Sequence, residues 1–295
     1  MSCSLIPTPR TIAVVNIQLL SDLHLESHPH FKAAPAPAAD LLVLAGDIGS
    51  YQPGSALTAY GIADFGLARF SPLPVAQGGA GWPVPVLFIP GNHEYDGLDF
   101  DTTHARLREC CSRLGIIWLE RETVVLQRVR LIGCTLWTDF DALSEEAARF
   151  GDITIGEQLK AREKAFRAAN HYLKKNPSFQ GGEPMLADAV RELGLQNQAW
   201  LRAALAQPFD GKTVVVTHFA PSLLSADPRY GLTPGTAGFC NSIDELFADA
   251  DVWLHGHLHC PSRYLKAGCR VFANPMGYAG KGEQAAFRAD YCVAV

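Results

Sequence analysis

The sequence predicts a layered α/β protein, and three observations support this fold class. Apolar runs typical of strands alternate with helical patterns through the first half of the chain. Later strand-like runs follow one another without long helices between some of them, which predicts mixed sheets. The chain has 295 residues, of which 48% are apolar and 19% charged, so it can bury a large core. We therefore expect one domain over 1–295, with two mixed sheets packed face to face and helices outside.

Five buried strands are predicted from apolar runs, and each run leads into side chains that can bind a metal ion. In chain order the runs are AVVNIQLLSDLH, DLLVLAGDI, VPVLFIPGNHE, KTVVVTHFAP and DVWLHGHLH. The carboxyl ends of strands form the edge where α/β sheets bind ligands. We therefore expect the polar side chains at these ends to meet in one site, and they are Asp22, His24, Asp47, Asn92, His93, His218, His257 and His259.

The last run places histidines at every second position, which are 255, 257 and 259. Alternate side chains of a strand point to the same face, so these imidazoles would share one side if the backbone stayed extended. We expect His257 and His259 to bind metal ions, and Gly256 to let the chain turn tightly between the strand and these ligands. His255 is interpreted as a residue that packs in the strand or supports a ligand.

Helical patterns are predicted at 55–69 and 103–114, and a longer helical insertion at 141–208 is a candidate cap. Two long helices are expected in this insertion, separated by NPSFQGGEP, whose Pro and Gly residues break a helix. The first helix has an apolar stripe, formed by Ile155, Leu159, Phe166, Ala169 and Leu173. Its opposite side carries Lys160, Lys164, Arg167, His171 and Lys174. This basic side is interpreted as a solvated face, and a basic lid over an anionic substrate is the alternative.

Composition argues against several classes of partner. A net charge of −5 disfavours broad nucleic-acid binding, because phosphate backbones require a basic surface. No run reaches the roughly 18 apolar residues of a membrane span, and the run at 12–20 lacks the cleavage pattern of a signal peptide. The eight cysteines contain no C-x-x-C pair and are interpreted as reduced thiols. We expect a cytoplasmic protein with no membrane partner, and nothing in the sequence indicates its oligomeric state.

The donor atoms at the strand ends are typical of a catalytic metal centre. Imidazole, carboxylate and amide donors suit Mn²⁺, Fe, Zn²⁺, Ni²⁺ and Co²⁺, and of these we favour Mn²⁺. The absence of thiolates disfavours a structural zinc site. Seven candidate ligands are too many for one ion, so we expect two ions about 3.5 to 4 Å apart that share a carboxylate. Such a pair can hold the attacking and leaving oxygens of a phosphoryl displacement.

Taken in order, the strand-end motifs resemble the signature of the calcineurin-like metallophosphoesterases. The motifs are Asp22-Leu23-His24, Gly46-Asp47, Gly91-Asn92-His93-Glu94, His218 and Gly256-His257-Leu258-His259. The resemblance implies a four-layer αββα sandwich with a dinuclear centre at one edge. It implies one metal ion held by Asp22, His24, Asp47 and His259. It implies a second ion held by Asp47, Asn92, His218 and His257, with Asp47 as the bridge.

The resemblance also implies a metal-dependent hydrolase of phosphate esters. We expect a phosphodiesterase with a small nucleotide-like substrate, in which a metal-activated hydroxide attacks phosphorus and His93 protonates the departing oxygen. Glu94 is a candidate for orienting His93. A phosphomonoesterase or pyrophosphohydrolase is the alternative, and a nuclease, a protein phosphatase or a non-catalytic scaffold fits less well. One departure is Ser50, which stands where the second motif of the family often has another aspartate.

Overall fold

Two mixed β-sheets pack face to face at the centre of the molecule, as predicted. The computed structural model of the chain describes residues 14–295, apart from the side chain of Phe150. The strands are β1 Asn16–Leu20, β2 Leu41–Ala45, β3 Val86–Ile89, β4 Ile117–Trp118, β5 Glu122–Leu126, β6 Val129–Cys134, β7 Phe179–Gln180, β8 Glu183–Pro184, β9 Lys212–Thr217, β10 Val252–His255, β11 Ser262–Lys266, β12 Cys269–Ala273 and β13 Cys292–Ala294. The helices are α1 Ala56–Ala59, α2 Phe100–Leu114, α3 Ala142–Phe150, α4 Ile155–Leu173 and α5 Ala187–Leu205.

The central strands of both sheets run parallel, and antiparallel strands flank them. The first sheet has the order β13-β1-β2-β3-β4, in which only β13 pairs antiparallel with its neighbour. The second sheet has the order β11-β12-β10-β9-β6-β5, with β11 and β5 antiparallel to their neighbours. Parallel strands present their carboxyl ends at the same edge. The strand ends that carry the candidate ligands therefore lie at a common edge within each sheet.

Alternation along the strands divides the core into three layers. Ile17, Leu19 and Val43 point from the first sheet toward the second, where Val214 and Leu254 pack against them. The intervening side chains point outward, because successive residues of a strand face opposite sides. Each buried aliphatic side chain contributes about 1.5–3 kcal/mol relative to its exposed state. The sheets are thus joined by an apolar layer that needs no polar contact to hold it.

Helices cover the outer face of each sheet and complete the four layers. Leu107 and Leu114 of α2 pack in the same core as Leu44 and Phe88 of the first sheet. On the other side, Leu201 and Leu205 of α5 pack in one core with Ile132, Val215 and Trp253 of the second sheet. The αββα sandwich implied by the sequence resemblance is therefore confirmed.

The two helices predicted in the first half have different outcomes. The pattern at 103–114 forms α2, which begins after Asp99, whose side chain accepts a hydrogen bond from the Thr102 N–H. The single helix predicted at 55–69 is wrong. Only the short α1 and a 3-10 turn at Leu67–Phe70 form there, because Gly61 and Gly66 adopt left-handed φ values of 65° and 78° that interrupt a helix.

The insertion at 141–208 contains the two predicted long helices, preceded by the shorter α3. The segment between the long helices forms the β7–β8 hairpin, with Gly181 and Gly182 at its turn. Since α5 packs on the second sheet, it belongs to the outer helical layer. The candidate cap is therefore limited to α3, α4 and the hairpin. The predicted apolar stripe of α4 is only partly buried, because Ile155 is 76% and Leu159 is 53% exposed.

Two further expectations concern the chain as a whole. All seven cysteines in the described range carry free thiols. Among residues 14–295, no helix combines the length and the apolar character needed to cross a bilayer.

Candidate metal centre

Side chains from the five strand ends converge at one rim of the sandwich. In one group, ligand atoms of Asp22, His24, Asp47 and His259 all lie within 4.8 Å of one another. In the other group, Asp47, His218 and His257 satisfy the same limit. These are the residues of the two predicted ligand sets apart from Asn92, and Asp47 belongs to both. Asn92 immediately precedes His93, whose backbone N–H donates to Asp47 Oδ1 at 2.9 Å.

Five buried atoms of the candidate ligands at this rim have no hydrogen-bond partner within the described part of the chain. A buried polar atom without a partner costs about 1–3 kcal/mol, so unpaired atoms are uncommon in folded proteins. A cluster of them at one place indicates that something absent from the polypeptide pairs with them. The unpaired atoms are Asp22 Oδ2, Asp47 Oδ2, Asn92 Oδ1, His218 Nε2 and His257 Nε2.

Hydrogen bonds from outside the cluster fix the orientation of two candidate ligands. His24 Nδ1 donates to Glu26 Oε1 at 2.8 Å, and His259 Nδ1 donates to Glu283 Oε2 at 2.7 Å. With Nδ1 as the donor, Nε2 is the atom of each ring that a cation would take, and these two nitrogens face each other at 3.0 Å. Two lone pairs at that distance repel unless a cation or a proton lies between them. The residues present therefore fit a metal ion on this side of the rim.

The second group is oriented in a similar way. His218 is fully buried, and its Nδ1 donates to the backbone oxygen of Ala45 at 2.8 Å, which links the two sheets. Its Nε2 lies 3.1 Å from Asp47 Oδ2 without the angle of a hydrogen bond. The imidazole thus directs a nitrogen toward the same carboxylate that the first group shares.

Buried charges set the protonation of the cluster. Burial alone would raise the pKa of Asp22, but His259, whose Nε2 lies 3.5 Å from Asp22 Oδ1, and the charge of His218 hold that pKa at about 2. Burial would lower the pKa of His218, but the charge of Asp47 raises it to about 9. Burial lowers the pKa of His257 well below its ordinary value. Near neutral pH the rim therefore offers ionised carboxylates and a neutral His257, while His218 holds a proton unless a cation replaces it.

The backbone is strained at the candidate ligands. Left-handed φ values occur at Asp22 (53°), His24 (44°), Asp47 (54°), His257 (74°) and His259 (48°). For residues other than glycine this conformation costs on the order of 1–3 kcal/mol, and such strain concentrates at functional sites. The fold therefore holds five of the seven predicted ligands in conformations that their local sequence disfavours.

The structure corrects the reason predicted for Gly256. This residue does not have a left-handed φ, and the unusual conformations lie at His257 and His259 instead. What the position requires is space, since a Cβ there would be 2.5 Å from Asp22 Oδ2 and 2.9 Å from Ser21 Cβ. Gly91 is constrained similarly, because a Cβ there would overlap Asp47 Oδ1.

His255 lies outside the metal cluster. The strand β10 ends at this residue, so the predicted shared face of the three histidines does not form. His255 Nδ1 donates to the Gly256 backbone oxygen at 3.0 Å, and its Nε2 accepts from Ser225 Oγ at 2.9 Å. Burial lowers the pKa of this imidazole to about 4. His255 is therefore a neutral, hydrogen-bonded residue of the core.

His93 is held by an aspartate that the sequence analysis missed. His93 Nδ1 lies 2.5 Å from Asp96 Oδ2. Burial would lower the pKa of His93, but the carboxylates of Asp96 and Asp47 raise it well above its ordinary value. The side chain of His93 is 26% exposed, so a charged imidazolium reaches the surface of the rim. The spacing of three residues between His93 and Asp96 within one turn is the signal that could have identified this pair.

Glu94 has a role that differs from expectation, and Ser50 lies beside Asp96. Glu94 does not orient His93; its carboxylate accepts the backbone N–H groups of Gly91 and Ile48, both at 2.7 Å. Ser50 is fully buried, and its Oγ donates to Asp96 Oδ2 at 3.4 Å. Because Ser50 stands where the family motif often has an aspartate, a hydroxyl group instead of a carboxylate lies beside Asp96.

Aromatic rings border both halves of the cluster. Phe219 and Phe239 pack on His257, with ring centroids 3.9 and 5.3 Å away. Tyr278 stacks on His24 with centroids 4.1 Å apart and an interplanar angle of 27°. Neither Phe239 nor Tyr278 belongs to a predicted motif, and only the folded chain brings them to the rim.

The basic side of α4 lines a groove that none of the candidate metal ligands borders. Lys164, Arg167 and His171 are exposed and, with Thr233 and Pro234, line an open groove of about 480 Å³. Arg167 also pairs with Glu163 at 2.5 Å. Exposure of the whole row fits a solvated face, and a role as a lid stays a prediction.

A buried cluster of carboxylates and imidazoles at the edge of an αββα sandwich fits a metal-dependent enzyme. Comparison with family models identifies the family, because the model of the calcineurin-like phosphoesterases matches residues 16–261. The chain belongs to the calcineurin-like phosphoesterase family. It is accordingly a metal-dependent phosphoesterase.

Individual relatives are distant. The chain is 23% identical over 208 residues to an uncharacterised protein of Acanthamoeba polyphaga mimivirus, and the match covers 66% of this chain and 68% of that protein. Among solved structures, the phosphopantetheinyl hydrolase of Mycobacterium tuberculosis is similar with a TM-score of 0.64 and 19% identity. That match covers 97% of both chains, so the two proteins share the fold over their whole length.

Proposed function

We propose that the chain is a phosphodiesterase that acts on a small nucleotide-like substrate with two divalent metal ions bound at the rim. The observation that carries the proposal is the set of five buried ligand atoms without partners, which two cations would satisfy. One ion would be held by Asp22, His24, Asp47 and His259. The other would be held by Asp47, Asn92, His218 and His257. Imidazole, carboxylate and amide donors accept Mn²⁺, Fe, Zn²⁺, Ni²⁺ and Co²⁺, and of these we propose Mn²⁺.

The metal ions supply one part of the chemistry and the chain supplies the rest. When bound, two divalent ions provide a water nucleophile near neutral pH and neutralise charge on the phosphoryl oxygens. The carboxylate of Asp47 belongs to both candidate groups and would help to hold both ions. The same carboxylate accepts the His93 N–H, which fixes the position of the His93 backbone relative to Asp47.

His93 supplies the proton for the leaving oxygen. Because Nδ1 is held by Asp96, the Nε2 proton of the imidazolium is the one available to a substrate. A positioned acid of this kind contributes about 10²–10⁴ in rate when the leaving group is poor. Asp96 acts as a positioning residue, since it fixes the ring and stabilises its charged form.

The surroundings of the rim favour a diester with an organic substituent. Phe239 is 38% exposed beside His257, and a partly exposed ring next to a metal ligand offers a stacking surface for a base or another planar group. The net charge of −5 supports a small substrate over a nucleic acid.

A parallel assay tests the proposal. Protein stripped of metal and reloaded with Mn²⁺, Fe²⁺, Zn²⁺, Ni²⁺ or Co²⁺ is assayed on bis(p-nitrophenyl) phosphate, p-nitrophenyl phosphate, cyclic and linear nucleotides, and a phosphopantetheinyl ester, which the name of the fold neighbour suggests. We expect kcat/KM for diesters to exceed that for monoesters by about tenfold or more, a difference of about 1.4 kcal/mol. Higher values for monoesters would make the chain a phosphomonoesterase. Preference for nucleoside diphosphates would make it a pyrophosphohydrolase, and no hydrolysis with any ion would refute the proposal.

A further inference from the structure

The segment 276–283 lies beyond the part of the chain that the family model matches, yet it is bonded directly to the metal rim. The Met276 N–H donates to the Ser21 oxygen at 3.1 Å, and the Gly277 N–H donates to the Asp22 oxygen at 2.9 Å. In return, His28 Nε2 donates to the Gly277 oxygen at 3.0 Å. These bonds join the start of the segment to the end of β1.

A carboxylate at the far end of the segment secures it to a candidate ligand. Glu283 Oε2 accepts His259 Nδ1 at 2.7 Å and the Tyr278 N–H at 2.9 Å. The turn between them requires glycine, because Gly277 has a φ of 67° and a Cβ there would lie 2.7 Å from Glu283 Cβ. Hydrogen bonds at both ends of the segment therefore fix the position of Tyr278 relative to His259.

The ring of Tyr278 lies between the ammonium group of Lys281 and the imidazole of His24. One face stacks on His24 at 4.1 Å, and Lys281 Nζ lies 4.9 Å from the centroid of the same ring. Since His24 covers one face, Lys281 lies over the other. A cation over an aromatic ring is attracted by the negative face of the ring. Lys281 is solvent-exposed and has no acidic partner within 4.0 Å among residues 14–295.

We propose that Lys281, held over Tyr278, binds a second phosphate group of the substrate, beyond the phosphate that is cleaved. The inference rests on the proposed function, in which the scissile phosphate lies over the metal rim. Because a full ring thickness separates the ammonium group from His24, Lys281 is placed for the next anionic group outward. An ammonium group without a competing carboxylate is a common phosphate ligand.

Equilibrium binding tests the site without relying on turnover. The probes are α,β-methylene-ADP, which carries two phosphorus groups and cannot be cleaved between them, and AMP, which carries one. Both are titrated calorimetrically into Mn²⁺-loaded protein at fixed free metal, and bound metal is measured in every sample. For the unaltered chain we expect the diphosphate analogue to bind about tenfold more tightly, a difference of about 1.4 kcal/mol.

Substitutions on the segment separate the cation from its platform. Lys281→Met and Tyr278→Leu should each abolish the preference for the diphosphate analogue, since one removes the charge and the other removes the ring that places it. Tyr278→Phe keeps the ring and should keep the preference. Lys212→Met is the matched control, because Lys212 lies at the opposite end of a central strand and pairs with Asp251.

The outcomes distinguish this inference from the proposed function. A preference that survives Lys281→Met with normal metal content, or no preference in the unaltered chain, would overturn the phosphate site even if diesters are hydrolysed. Conversely, a preference that depends on Lys281 in a protein that hydrolyses no phosphate ester would support the binding site and refute the phosphodiesterase.

Discussion

Asp47 belongs to both candidate ligand groups, and each of its oxygens has a close neighbour. Oδ1 accepts the His93 N–H, and Oδ2 lies 3.1 Å from His218 Nε2. Only 1% of the Asp47 surface is exposed, and the residue has a left-handed φ of 54°. A buried carboxylate in a strained conformation costs free energy in the empty protein, and bound cations would offset that cost.

Substitution of Asp47 by Ala should remove both metal ions, because the one carboxylate belongs to both ligand groups. After equilibration with Mn²⁺, elemental analysis should find near zero bound ions per chain in this variant and about two in the unaltered chain. Both ions are lost because they share this ligand. Asp251→Ala is the control, since Asp251 pairs with Lys212 away from the rim. Full occupancy in Asp47→Ala would refute the bridge.

Substitution of His93 by Ala should leave both ions in place and slow the reaction according to its leaving group. Esters with alkyl leaving groups should lose about 10²–10⁴ in kcat/KM, while p-nitrophenyl esters, whose leaving group needs no proton, should lose much less. Asp96→Asn should show a smaller loss with the same pattern, because it weakens the orientation and charge of the ring. Equal losses on both kinds of ester would exclude the role of His93 as an acid.

At the scale of the elements, the sequence could predict the strands and their polar ends because both are local features. An apolar run of five residues specifies a buried strand, and the ligands follow it directly. The partner Glu283 could not be predicted in this way. The contact of Glu283 with His259 spans 24 residues and arises only when the chain after β12 folds back onto β1.

The wrong expectations have local physical causes. The helix predicted at 55–69 is interrupted where Gly61 and Gly66 adopt left-handed conformations, which a pattern of apolar residues does not reveal. The histidine alternation fails for a related reason, because β10 ends at His255 and the backbone turns at His257. In both cases the pattern of residue types suggests a regular element, but the backbone conformation interrupts it.

The turn after β10 provides a prediction at this scale. Gly256→Ala places a Cβ 2.5 Å from Asp22 Oδ2, so the turn must shift, and we expect a loss of about 1–3 kcal/mol in the free energy of unfolding. Mn²⁺ affinity should fall by about tenfold or more, a change of at least about 1.4 kcal/mol, because the candidate ligands Asp22 and His257 both move. Denaturant unfolding and calorimetric titration measure the two effects.

Gly156→Ala in α4 is the control for that variant. The nearest atom to an added Cβ is Thr154 Oγ1 at 3.9 Å, and alanine is favoured over glycine in a helix by about 0.5–1 kcal/mol. It should therefore be neutral or slightly stabilising. A Gly256→Ala protein that matches this control in stability and metal affinity would contradict the close-packing argument.

For the whole molecule, the rim is where apolar packing between the sheets gives way to charge. The inter-sheet layer is apolar, but at the strand ends ionised carboxylates and unpaired ligand atoms take its place. The hydrogen bond from His218 to Ala45 is one polar link between the sheets at this point. Cations that pair with atoms from both sheets would therefore stabilise the sandwich as a unit, in addition to any catalytic role.

Metal binding should consequently raise the melting temperature of the whole protein. Free ion at 100 times its dissociation constant adds about 2.7 kcal/mol for one site that exists only in the folded state. At roughly 2 °C per kcal/mol for a chain of this size, the melting temperature of metal-stripped protein should rise by about 5 °C or more on addition of Mn²⁺. A chelator should reverse the shift. The Asp47→Ala protein should show little change, because the ions then have no shared ligand, and an equal shift in both proteins would mean that the ions bind elsewhere on the surface.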